Sequence, residues 1–142
     1  VFKEAFNSVS ARKLEQTFRQ NQWAGLWRNG IFSYHHYHSN SHEVLGVVRG
    51  EATVQFGGKE GEILEFSAGD VAVLPAGCGH KNLESHGLLV VGGYPEGQTN
   101  YDLVRSESER LGDVLERIRG VPAPKADPVH GPDGPLLGVW LR

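Results

Sequence analysis

The spacing of apolar positions along this chain changes twice. Between about Ser10 and Gln22, Leu14 and Phe18 stand four apart among Arg, Lys, Glu and Gln, which predicts one short amphipathic helix. From Gly30 to about Val91 the texture becomes short β-branched and aromatic runs. Glycine breaks them at Gly57-Gly58, Gly61, Gly69, Gly77, Gly79 and Gly92-Gly93. Glu43 to Arg49, Ala52 to Phe56, Ile63 to Phe66, Val71 to Leu74 and Leu88 to Val91 have strand length. Their close spacing predicts antiparallel strands of an all-β sandwich or barrel rather than alternating β-α units.

A helical period returns after Tyr94-Pro95. Ser106 with Glu109 has the form of a capping box, Leu111, Val114, Leu115 and Ile118 keep one face, and Gly120 supplies a stop. Beyond Val121 five prolines predict an extended strap ending on the barrel, with Leu136 to Leu141 as its packing segment. The organisation expected is one domain over 1–142. Its barrel core covers about 30–95, and its C-terminal helix and strap about 102–142.

Composition narrows the partners. A formal charge of −3 without a basic stripe argues against nucleic acid, and no apolar run is long enough to span a bilayer. The single cysteine, Cys78, cannot form an intramolecular disulfide, which fits a cytoplasmic protein. The chain has no methionine, so Val1 is expected not to be the translational start. The stripe of the helix from about Ser106 to Arg119 needs cover, and a homodimer is expected.

The candidate chemistry lies in the histidines. Five of seven fall between residues 35 and 80, beside Glu43. Side chains alternate faces along a strand, so His36 and His38 share one side while His35 and Tyr37 take the other. Ser39 to His42 then has the length of a turn that would return Glu43 antiparallel across from the pair. His80 arrives from Pro75-Ala76-Gly77-Cys78-Gly79-His80, where proline and two glycines permit a sharp bend. Three imidazoles and a carboxylate suit one divalent transition metal ion (Mn, Fe, Ni, Co or Zn) and leave positions for a small-molecule ligand or substrate.

The run Gly30-(x)5-His36-x-His38-(x)4-Glu43-(x)6-Gly50 resembles the first cupin motif position for position. Gly69-(x)5-Pro75-x-Gly77-(x)2-His80 resembles the second. With the interval between them they cover roughly a third of the chain. The position four beyond the histidine, often Asn in the family, is Glu84 here, with Asn82 two residues earlier. Trp27-Arg28-Asn29-Gly30, Tyr34-His35-His36-Tyr37-His38 and Asp127-Pro128-Val129-His130-Gly131 resemble small bacterial single-domain cupins of unassigned activity. The resemblance implies a double-stranded β-helix, or jelly-roll barrel, with one N-terminal and one C-terminal helix packed outside. It also implies a metal on His36, His38, Glu43 and His80.

Such a cupin is a metal-dependent enzyme, oxygenase-like or else an isomerase, or it is a non-catalytic small-ligand-binding or sensing module. Fold alone does not choose between them.

Parity assigns further positions. Phe32, Tyr34, Leu45, Val47, Val71 and Val73 are expected inward, which makes the wall apolar. Tyr34 is the candidate for substrate contact, and Asn82 for a partner of a ligand or of the site. His35 and His42 are expected to face away, with His42 a substitute ligand. Cys78 reads as a small buried filler, and Trp23 and Trp27 as staples of the N-terminal segment.

Overall fold

Two long strands organise the protein, which a computed structural model describes over residues 1–105 and 111–140. In chain order the elements are α1 (Ala11–Gln20), β1 (Trp23–Asn29), β2 (Glu43–Phe56), β3 (Glu62–Ser67), β4 (Val71–Leu74), β5 (His80–Pro95), α2 (Leu111–Arg119) and α3 (Pro135–Trp140). β2 and β5 pair antiparallel over most of their length, and β1 extends the sheet from the far edge of β5. The other edge of β2 is shared in succession, by β4 along Glu43–Gly46 and by β3 along Glu51–Phe56. The sheet is open, with strand order β1-β5-β2-β3. No helix among the described residues is long and apolar enough to cross a membrane.

Irregularities bend the β2–β5 ribbon. Its register shifts between Val47 and Arg49, between Arg49 and Glu51, and between Thr53 and Val54. Each extra residue bends the strand and resets its alternation. Leu45 and Val47 therefore pack in one inner cluster with Phe66 and Val90, while Phe56, of the opposite parity, packs against the same cluster.

β2 is buried on both faces near its start. Val44 belongs to a second cluster outside the sheet, with Leu14 and Phe18 of α1 and with Trp23. That helix starts where the Ser10 Oγ accepts from the Lys13 N–H at 3.1 Å. It lies close because residue 46 is glycine: a Cβ there would sit 3.0 Å from Leu14 Cδ1 and 3.1 Å from Phe18 Cζ.

Several expectations need correction. The sheet begins at Trp23 rather than near Gly30. Gly25 lies at a positive φ of 63° and the β1–β5 register shifts between Ala24 and Trp27, which breaks the alternation that marks a strand. Val71 and Val73 face outward. Glu43 pairs with Leu74 and Leu45 with Ala72, and directly paired residues share a face, so Ala72 and Leu74 point inward.

The strap from Val121 ends in a short helix, α3, rather than staying extended. Asp127 is fully buried, and its carboxylate accepts from the backbone N–H groups of Val129, His130 and Leu136. The expected capping box at Ser106 and Glu109 lies outside the described residues. Within α2, Val114 is buried while Leu111 and Leu115 are exposed.

Candidate metal centre

His36 and His38 lie on an extended segment that pairs by isolated bridges instead of forming a regular strand. His36 bridges His80, and Tyr37 bridges Val104. The expected hairpin onto β2 does not form. Residues 39–42 are drawn aside instead: the Ser39 N–H donates to the Asp102 carboxylate at 2.7 Å, the Ser41 hydroxyl to the Gln98 carbonyl at 2.8 Å, and the His42 N–H to Gln98 Oε1 at 3.0 Å. Glu43 still arrives beside the histidines, because β2 starts there.

The structure gathers all four residues. His36, His38, Glu43 and His80 are each buried, and one ring nitrogen from each histidine lies within 4.8 Å of the other two. Glu43 Oε2 is 3.3 Å from His38 Nε2, and Oε1 is 3.1 Å from His80 Nε2.

Each imidazole is oriented by the main chain. His36 Nδ1 meets the Tyr34 carbonyl at 3.0 Å, His80 Nδ1 the Cys78 carbonyl at 3.2 Å, and His38 Nδ1 the Asp102 carbonyl in a short contact. A carbonyl only accepts, so each Nδ1 carries the proton and leaves Nε2 for the site. Three lone pairs and a carboxylate then converge with nothing between them to donate. Glu43 Oε1 is buried and has no hydrogen-bond partner. A donor set of that kind calls for a shared cation, and a divalent transition ion fits it.

The pKa directions set the charges of the metal-free cluster. Burial foremost, with His80 as neighbour, lowers His36 to about 4, so it is neutral at pH 7. Burial also works to lower His38, but the facing Glu43 carboxylate outweighs that and raises it. For Glu43 burial acts to raise the carboxyl, yet the facing His38 and His80 hold it at about 2. The carboxylate is therefore ionised throughout the working range.

The centre forms the floor of a cavity of about 220 Å³. Leu45, Trp27, Tyr94 and Leu103 make much of the wall, with Phe32 and Arg28 at the rim. Phe32 is 49% exposed, so it belongs to the mouth rather than the interior. Tyr34 is not part of the lining. Its ring stacks on Phe32 at 5.0 Å and carries the Arg105 guanidinium 3.9 Å from its centroid. Asn82 is also beside the cavity and not in it. Its Nδ2 donates to the Ile31 carbonyl at 3.3 Å and Ser85 Oγ at 3.0 Å, which ties the rim segment to β5.

His35 lies outside the cluster. His42 is buried with both nitrogens in use: Nδ1 accepts from the Ala76 N–H at 2.9 Å and Nε2 meets the Pro122 carbonyl at 3.1 Å. Cys78 packs at the edge of the inner cluster, and burial raises its thiol pKa.

Besides Leu103, three residues of this neighbourhood escaped the sequence reading. Tyr94 is buried on the wall and accepts from Trp27 Nε1 at 3.0 Å. Burial foremost, and then the charge of Glu43, raises its phenol. Tyr101 stacks on Tyr94 at 4.1 Å and meets His38 edge-on at 5.2 Å. Asp102 lies beneath His38. The cavity wall thus takes residues from beyond both motifs, and no short pattern announces them.

Residues 25–87 match the Cupin domain family. Over 129 residues, 90% of this chain and 78% of the relative, the sequence is 40% identical to the uncharacterized protein YjlB of Bacillus subtilis (strain 168). Among solved structures it is similar to an uncharacterized conserved protein with a double-stranded β-helix domain from Klebsiella pneumoniae. That match has a TM-score of 0.43 and 21% identity over 58% of this chain and 68% of the other. It is also similar to acireductone dioxygenase from Bacillus anthracis with cadmium in its active centre. There the TM-score is 0.44, with 14% identity over 62% of this chain and 60% of that one.

Proposed function

We propose a function from the premise that this chain belongs to the cupin family: it is a metal-dependent enzyme that acts on a small organic molecule. His36, His38, Glu43 and His80 are its metal ligands. The observation that carries the reading is the convergence of three Nε2 lone pairs on an ionised, partly unpaired carboxylate at the floor of a cavity. When bound, a divalent transition ion supplies polarisation of an oxygen donor and, if redox active, chemistry with dioxygen.

The chain's own residues do the rest. The carbonyls of Tyr34, Cys78 and Asp102 hold the imidazoles in one tautomer. Leu45, Trp27 and Leu103 keep water from the floor. Glu43 carries one of the charges that the ion needs. None of the described strap residues lines the cavity, and the strap's Pro122 and Ala126 carbonyls bind His42 and Trp23 instead; an accessible mouth supports turnover.

Among the described residues lining the cavity, the ligands and the two tyrosines are the groups able to move a proton, which favours an oxygenase-like reaction over an isomerase. The same scarcity supports the second reading, a module that binds a small ligand without turnover. The test compares turnover of one substrate by the Fe, Ni, Mn and Zn forms, with and without air. Oxygen consumption by the Fe or Ni form with an inert Zn form is expected. Full activity of the Zn form under nitrogen overturns the oxygenase, and no activity in any form across a broad panel moves the assignment to the binding module.

A further inference from the structure

We infer that the cavity takes a small monocarboxylate with a flat apolar body, its carboxylate at the metal end within reach of the Tyr94 hydroxyl. The body then lies among Trp27, Leu45, Tyr101 and Leu103. This rests on the metal reading above.

Charge limits the head group. Three neutral imidazoles, the single negative charge of Glu43 and a divalent ion leave one positive charge on the floor. A monoanion cancels it. A dianion would leave one negative charge against an apolar wall, which is unfavourable without a second cation. Among the described residues lining the cavity Arg28 is the other permanent cation. Its guanidinium is already bound by both oxygens of Glu15, at 2.7 and 2.9 Å. Among the described residues lining the cavity, that leaves no uncommitted cation for a second anchor.

The wall limits the body. A volume of about 220 Å³ holds on the order of seven waters at about 30 Å³ each, enough for one ring and its head group. The polar groups that could meet a ligand are few. Asn29 Oδ1 is occupied by the Gly30 N–H at 2.8 Å, which leaves its Nδ2 and the hydroxyls of Tyr94 and Tyr101. A polyol would bury hydroxyls without partners.

Tyr94 is set up as a donor. Trp27 Nε1 donates to its oxygen at 3.0 Å, so one acceptor position is filled and the ring is pinned. Its hydroxyl also bonds to that of Tyr101, so the two hydroxyls together keep one proton to give to a ligand. A bond from a buried phenol to an ionised head group is worth about tenfold in affinity.

The test uses the Zn-loaded full chain, with elemental analysis before and after calorimetric titration with benzoate, succinate, glucose and benzyl alcohol. Benzoate is expected to bind at least tenfold more tightly than the other three. Tyr94→Phe should weaken benzoate about tenfold at unchanged Zn content. Tyr101→Ala, at the more exposed partner of the stack, should weaken it as well. Retained Zn with no benzoate binding, or with succinate or glucose bound as tightly, overturns the inference and leaves the metal reading standing. Benzoate binding that is indifferent to both tyrosine substitutions also overturns it. Failure of the wild-type chain to retain Zn overturns the metal reading, and this inference with it.

Discussion

His36 and His80 are joined in both directions along the main chain. The His36 N–H donates to the His80 carbonyl at 3.2 Å, and the His80 N–H returns to the His36 carbonyl at 2.9 Å. Their rings stand 4.0 Å apart, centre to centre, at 54°. The two sequence motifs therefore meet through backbone bonds that need no ion. A site assembled before its ligand arrives avoids much of the ordering cost of binding.

Removing a ligand should remove the metal, and removing its neighbour should not. His36→Ala, His38→Ala and His80→Ala are expected to lose most bound ion, while His35→Ala retains it. Elemental analysis after dialysis decides. Equal loss in all four would mean that the face assignment along residues 35–38 is wrong.

Asp102 should matter without touching the ion. Its carboxylate accepts from the Ser39 N–H and hydroxyl, and this fixes the carbonyl that orients His38. Asp102→Ala is expected to weaken metal binding by about 10- to 100-fold in chelator competition, with circular dichroism unchanged. Wild-type affinity in that variant would show that His38 holds its orientation unaided.

Acid should destabilise the metal-free protein across a defined window. His36 is lowered from 6.5 to about 4, so between those values the unfolded chain binds a proton that the folded chain refuses. Stability falls as pH drops through that range, by about 3 kcal/mol for this group alone. His42, lowered chiefly by burial, acts in the same sense. His38, raised by Glu43, opposes them: its contribution is complete below 6.5 and is lost as pH rises through its folded value. Glu43, held at about 2, contributes above 4.5 and loses that as pH falls toward 2. The urea midpoint at pH 4.5 should lie well below that at pH 7.5, and a flat midpoint would contradict these shifts. In the loaded protein, dialysis with chelator at about pH 5 should strip the ion, because imidazole must be neutral to ligate.

Gly92→Ala should disturb the wall from behind. A Cβ there would lie 2.0 Å from Trp27 Cζ2, so the indole must move. The expected cost is about 1–3 kcal/mol, with a shift in tryptophan emission. Unchanged emission and stability would mean that the indole has room to relocate.

The clustering of His36, His38, Glu43 and His80 was legible because it rests on two local rules, alternation of side chains along an extended segment and glycine-proline bends before His80. Both survive the loss of regular strand structure around His36. What failed was longer in range. Val71 to Leu74 is apolar throughout, so composition could not say which face turned inward, and pairing with Glu43 and Leu45 decided it. Trp23 to Asn29 hid its strand behind Gly25. Tyr94, Tyr101 and Asp102 reach the site through pairing and loop contacts that no spacing encodes.

Three imidazoles leaning on carbonyls, rather than on carboxylate or amide side chains, have a consequence for how such a protein can change. Every residue has a carbonyl, so replacing the side chains of Tyr34 or Cys78 does not erase the instruction that aims the ring beside it. The course of the chain stores that instruction. Wall residues such as Leu45 and Leu103 are then free to drift, and new substrates can be tried over an unaltered metal floor.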